Sequence, residues 1–127
     1  MTERLEVHNL AACFAAHRAL WEAAAALSRR LSTSTDDGYL MHLGASCMRI
    51  ASQSALQSRN AHEALRAWRE CMLAERQIKL ATYLSLRRGT VDNGTFDDLF
   101  AMARVASRIR EEERQRLRRE LNRQVIV

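Results

Sequence analysis

Proline is absent from all 127 residues and glycine occurs only four times, so nothing along the chain breaks a helix from within. Three of the four glycines, Gly38, Gly89 and Gly94, fall in short gaps between four long stretches of helical spacing. Cysteine is scarce and odd in number, at Cys13, Cys47 and Cys71, each inside an expected helix. That suits reduced thiols in a cytosol better than a disulfide framework. Lysine is nearly missing: of 20 basic residues only Lys79 is not arginine. Uninterrupted apolar runs are also lacking. Residues 9–27 come nearest, but Glu3, Arg4 and Glu6 precede that run and His17, Arg18 and Glu22 break it, which excludes a signal peptide or a membrane span. The expectation is a cytoplasmic protein without membrane contact.

What is present builds one helical domain over residues 1–127, with 47% apolar content to supply a core. Helix 1 is expected over about 2–31, capped by Thr2, with a stripe of Leu10, Phe14, His17, Trp21, Ala24 and Leu31 flanked by Cys13, Leu20 and Leu27. Ser32 to Gly38 reads as loop and cap chemistry. Helix 2, about 36–58, presents Leu40, Leu43, Cys47, Ile50 and Ser54 as its seam, with Gly44 a tolerated mid-helix glycine. Asn60 and Glu63 form a capping box that opens helix 3, about 61–88, whose stripe is Ala64, Trp68, Cys71, Glu75, Ile78 and Thr82. Arg87-Arg88-Gly89 closes it, cations at the negative dipole end followed by a residue free to turn left-handed. Helix 4, about 95–122, starts at a Thr95 cap and packs Phe96, Leu99, Phe100, Ala103, Ala106 and Ile109. Short loops make sequential helices antiparallel, so the expected fold is an all-α, up-down-up-down four-helix bundle.

Beyond Ile109 the composition turns to Arg, Glu and Gln, with pairs such as Arg108/Glu112 and Arg116/Glu120 at helical spacing. This extended charged end is expected to stay helical while solvated. Only Leu117, Leu121 and Val125 recur on one face, which makes them the candidate seam for a second subunit of a homo-oligomer; a frayed monomeric tail is the alternative.

Net charge is +5 and the pI about 9.8, carried by a side chain whose planar fork suits phosphate. Arg29, Arg30, Arg87 and Arg88 close helices 1 and 3 and are expected at one end of the bundle. Arg66, Arg69, Arg116 and Arg119 belong to a second group near the other end, interleaved with Glu63, Glu70 and Glu111 to Glu113. Both groups are candidate nucleic-acid contacts, to phosphate and without sequence preference, since no recognition motif or aromatic platform is evident. Each also has a purely structural use, as dipole partners or as surface ion pairs.

Polar residues interrupt the core. Parallel helices 1 and 3 place His17 and Glu75 at similar heights, with Cys13, Cys71 and Cys47 nearby. Such a layer holds ligand types for zinc or iron, but the Glu-x-x-His motif of bundle metal sites is absent, and the better expectation is that the imidazole and carboxylate pair with each other or with an arginine. No nucleophile elbow or Gly-rich phosphate loop occurs, and His8, His42 and His62 have no partner for hydrolysis, so neither enzyme activity nor a cofactor is expected.

Leu40 to Leu43, the run Ala64-Leu65 through Glu75-Arg76-Gln77-Ile78-Lys79-Leu80-Ala81, and Phe96-Asp97-Asp98-Leu99 after its loop together resemble one superfamily of small bundles. It joins proteins encoded in intervening sequences of bacterial 23S rRNA genes with the accessory variability proteins of diversity-generating retroelements. Ser54 to Ser58 stands where the ribosomal branch carries Ile-Ala-Glu-Gly, so the retroelement type fits better. The resemblance implies a homo-oligomeric, often pentameric, basic bundle without enzymatic activity that assists a reverse transcriptase and its RNA template. The expected function is therefore a self-associating, nucleic-acid-binding bundle. The alternative is a protein-only interaction module or inhibitor of a phage or mobile element.

Overall fold

Spacing of small and apolar residues decides which face of each helix turns inward. The structure, a computed structural model, describes residues 7–31 and 36–125. It is an all-α four-helix bundle: α1 Val7–Arg30, α2 Asp36–Leu56, α3 Ala61–Arg87 and α4 Asn93–Val125. The Thr2 cap and the Ser32 to Thr35 loop chemistry lie outside the described residues. Helix α1 packs on α2 and α4, and α3 packs on the same two neighbours.

On α1 the seam is Leu10, Cys13, His17, Leu20, Ala24 and Leu27, continued by Leu31 just past its end, and on α3 it is Ala61, Ala64, Trp68, Cys71, Glu75, Ile78, Thr82 and Ser85, all buried. Both sets alternate steps of three and four, the spacing that keeps a seam on one side of a bundle helix. Leu20 and Ile78 are essentially fully enclosed, and each contributes about 1.5–3 kcal/mol by leaving water.

Helix α2 departs from expectation. Leu43, Cys47, Ile50 and Ser54 are exposed and Leu40 is half-buried, while the inward seam is Asp37, Met41, Gly44, Ala45, Met48, Ala51, Ser52 and Ala55. The true stripe lies one residue, about 100° of helix rotation, from the one that the large aliphatics mark. Close approach is the reason. A Cβ built on Gly44 would stand 2.8 Å from Ile78 Cγ1 and 3.3 Å from the Ile78 backbone nitrogen. Small residues let α2 sit against α3, and leucines would hold them apart. Gly44 is therefore a packing position rather than a tolerated one. Gly44→Ala gains about 1 kcal/mol of helix propensity but overpacks this contact at about 1–3 kcal/mol, so a net loss of stability is expected in urea unfolding. An increase would show that the contact relaxes freely.

The helix ends follow capping chemistry. Asn60 Oδ1 accepts the Glu63 N–H at 3.0 Å, while the Glu63 carboxylate reaches back to the Arg59 N–H at 2.8 Å. Gly89 takes φ +76°, the left-handed turn that closes α3. At α4 the cap is Asp92 rather than Thr95: its Oδ1 accepts the Thr95 N–H at 2.7 Å. That bond, more than the hydroxyl of Thr95 or the nearby Arg30, holds the Asp92 carboxyl below its usual range.

The charged half of α4 is the second correction. Leu99, Ala103, Ala106, Arg110, Glu113, Leu117 and Glu120 form one unbroken seam in steps of four and three, and all are buried. Residues 110–123 are thus not a solvated extension. Leu117 is fully enclosed among Leu10, Ala64, Trp68 and Cys71, and Leu121 packs against the same cluster. The chain covers this seam itself, which removes Leu117 and Leu121 as an outward subunit interface; the side chain of Val125 lies outside the described residues.

Candidate nucleic-acid interface and the buried polar layer

Arg29 and Arg30 stand in the last turn of α1, and Arg87 and Arg88 at the end of α3. Arg29, Arg30, Arg87 and Arg88 are all exposed. Val91 belongs to the same apolar cluster as Leu27 and Leu31, which draws the α3–α4 turn against the end of α1. Only Arg88 is committed internally, donating from Nη1 to Asp37 Oδ1 at 2.8 Å. Asp37 is almost fully buried, so this end-on bond fixes the start of α2 to the end of α3. Arg87 lies over the Tyr83 ring at 6.0 Å and reaches its hydroxyl at 3.3 Å. Stacking of this kind orders a guanidinium without using up its charge.

Part of the charge at the other half is consumed. Arg114 bonds Glu111 at 3.2 Å, and Arg116 bonds Glu113 through Nε at 3.1 Å and lies 3.8 Å from Glu120. Arg116 is half-buried in that arrangement, which withdraws it from the phosphate-contact group. Arg66, Arg69 and Arg119 remain exposed, but Arg66 lines a groove with Glu63 and Glu70 on either side. Exposed arginines outside any ion pair among the described residues stand on all four helices: Arg29 and Arg30 on α1, Arg49 on α2, Arg66 and Arg69 on α3, Arg104 and Arg108 on α4.

The polar layer is closed by a residue that periodicity alone did not single out. His17 and Glu75 are buried, and Arg110 bridges them, donating from Nη1 to Glu75 Oε1 at 2.8 Å and to His17 Nε2 at 3.1 Å. Lys79 stands 3.6 Å from the second Glu75 oxygen. His17 Nδ1 lies 2.7 Å from the Cys13 carbonyl oxygen. A carbonyl only accepts and a guanidinium only donates, so Nδ1 carries the proton, Nε2 is bare and the ring is neutral. Burial first, and Arg110 in addition, lowers the His17 pKa to about 4 against the opposing pull of the Cys13 carbonyl. Signals for Arg110 existed: it continues the Ala103–Ala106 seam and is spaced to Glu113 and Leu117, but its charge disguised it as surface.

A guanidinium occupies the centre of the layer, between the two side chains that a metal ion would need, and Cys47 is exposed elsewhere. Among the described residues no three His, Cys, Asp or Glu side chains gather at a metal-binding separation. Burial pushes the Cys71 thiol up to about 12 and the Cys13 thiol higher still, so both behave as small apolar core residues. Trp68 is fully buried 5.2 Å from the His17 ring, while Trp21 is half-exposed on the α1–α2 groove.

A third feature is apolar. Leu43 and Ile50 on α2, with Leu73 and Leu80 on α3, are exposed, Ile50 to 60% and Leu80 to 55%. Cys47, Ser54 and Ala67 continue the surface between the two helices. Exposed aliphatics gathered on one helix pair are unusual for a face meant only for water.

Known protein families, curated proteins and solved structures yield no match to this chain. Among the described residues no helix is long and apolar enough to cross a membrane.

Proposed function

We propose that this protein is a non-enzymatic, self-associating, antiparallel up-down-up-down bundle that binds the backbone of RNA or DNA. The observation that carries this reading is unspent charge: Arg29, Arg30 and Arg87 stand exposed with no carboxylate at ion-pair distance among the described residues, while Arg110, Arg114 and Arg116 of α4 are paired with Glu75, Glu111 and Glu113. Phosphate contact of this kind is independent of base sequence. The lack of enzymatic activity is supported by the polar layer, whose His17, Glu75 and Arg110 satisfy one another out of reach of any substrate.

The α2–α3 apolar face takes the place of the α4 seam as the self-association surface, and the often pentameric state implied by the sequence resemblance is its proposed assembly. The same resemblance supplies the proposed setting, beside a reverse transcriptase in the cytoplasm. A second reading keeps the apolar face and drops the nucleic acid: a protein-only interaction module or inhibitor whose partner docks on Ile50 and Leu80. Titration of labelled single- and double-stranded oligonucleotides at several salt concentrations separates the two. Backbone binding gives a log–log salt slope of about 0.7–0.9 per phosphate neutralised. Absence of binding at low salt would leave the second reading. Light scattering of an Ile50→Glu/Leu80→Glu variant, expected to be smaller than the wild type, tests the interface.

A further inference from the structure

One flank of α2 carries Tyr39, His42, Ser46 and Arg49 at steps of three and four, and the facing flank of α1 carries Glu22, Ala25 and Arg29 at the same steps. Between them runs an open groove of about 560 Å³, walled in addition by Trp21. Its end nearest the arginine cluster is formed by Ser28, Arg29, Tyr39 and His42. Arg29 and Arg49 take part in no ion pair among the described residues. The single carboxylate in the lining, Glu22, is already engaged by Arg18 Nε at 2.8 Å. The groove is thus a track of donors with uncommitted positive charge, and Tyr39 stands 65% exposed at its mouth.

Each part of that arrangement points to one class of ligand. Seven residues of α1 separate Glu22, which lines the groove with Arg49, from Arg29, a rise of about 10 Å, or about three stacked nucleotides at ~3.4 Å each. Two packed helices have axes about 8–10 Å apart, so the groove between them is narrower than a double helix, but a single strand can lower its phosphates into it. An exposed tyrosine beside such a track offers a π-face on which any base can stack. We infer that the α1–α2 groove seats single-stranded nucleic acid, with Arg29 and Arg49 on phosphates about three nucleotides apart and Tyr39 stacked on a base. This rests on the nucleic-acid reading above and gives it a site; the groove runs from the arginine cluster along the flank of α2 turned away from the apolar α2–α3 face, so both surfaces serve at once.

The test is fluorescence anisotropy with a labelled oligouridylate and the full chain, helicity being checked by circular dichroism. Arg29→Glu/Arg49→Glu is expected to weaken binding at least tenfold and to reduce the log–log salt slope by about 1.4, at ~0.7 for each of two phosphates. Arg104→Glu/Arg108→Glu, the same charge change on exposed α4 positions, should change affinity less than threefold. Tyr39→Ala should weaken binding about fivefold or more, and Tyr39→Phe should not. Equal losses for the two double variants would mean a diffuse field; the groove assignment then fails while nucleic-acid binding stands. A polyglutamate peptide that competes equally and ignores Tyr39→Ala would also overturn the assignment, in favour of an acidic protein partner. Failure of the wild type to bind at low salt overturns the nucleic-acid reading itself, and the groove assignment with it.

Discussion

Arg110→Met is expected to destabilise the protein by about 3–5 kcal/mol, the usual cost of breaking a buried ion pair by removing one partner. Glu75 is only 4% exposed, and in the variant its carboxylate keeps just Lys79 at 3.6 Å, a side chain that is itself more than a third exposed. His17 Nε2 loses its donor at the same time. At roughly 4 °C per kcal/mol for a chain of this length, the midpoint should fall by about 12–20 °C. Removing both charges behaves differently, because no buried ion is then left unpaired. Arg110→Met/Glu75→Met should recover more than half of the loss, and the coupling in this cycle should exceed about 1 kcal/mol. Thermal and urea unfolding of the four proteins decides it, and a single-variant loss below 1 kcal/mol would mean that water replaces the guanidinium freely.

The second large effect is a dependence of stability on pH between about 6.5 and 4. His17 falls from an ordinary 6.5 to about 4 in the folded protein because burial and Arg110 both oppose its charge. The unfolded chain therefore binds the proton first as pH drops. Stability contributed by the neutral ring is fully present above about 6.5 and is lost progressively as pH falls through 4, with a slope approaching ~1.4 kcal/mol per pH unit inside the window. The total is about 3 kcal/mol. Protonation would force an N–H onto Nε2, facing the Arg110 guanidinium, so the layer cannot be kept by a change of tautomer. His17→Gln should remain folded, offer its carbonyl oxygen to Arg110, and flatten this slope. Urea midpoints at pH 7, 5.5 and 4.5 measure it. An unchanged slope in His17→Gln would assign the dependence to carboxylates instead.

Much of the bundle was legible because helical period survives in its apolar residues. The stripe of α3 read correctly, down to Glu75, while that of α1 read in part: Leu10, His17, Ala24 and Leu31 face inward, but Phe14 and Trp21 are half-buried and Cys13, Leu20 and Leu27, expected on the flank, complete the seam. Helix α2 misled. Its leucines and isoleucine lie one step from its seam, and the residues that face inward are methionines, alanines and a glycine chosen for size. The distal half of α4 misled through charge: Arg110, Glu113 and Glu120 keep the period of the seam but carry the composition of a surface. Leu117, expected to face a partner, is buried by its own chain. Of the candidate contacts, Arg29, Arg30, Arg87 and Arg88 all stay exposed, whereas Arg116 is drawn into pairs with Glu113 and Glu120.

By itself the sequence determined that this protein is helical, how many helices it has and, at Asn60 and Gly89, where α3 begins and ends, because those properties are set by local bonds and by side chains a turn apart. It also determined the excess of arginine. Only the tertiary structure decided which arginines are spent on carboxylates, that Arg110 rather than a metal joins His17 to Glu75, and which flank of α2 is left bare. Those outcomes depend on how closely two helices approach, and that distance is fixed by small residues such as Gly44 whose pattern carries almost no hydrophobic signal.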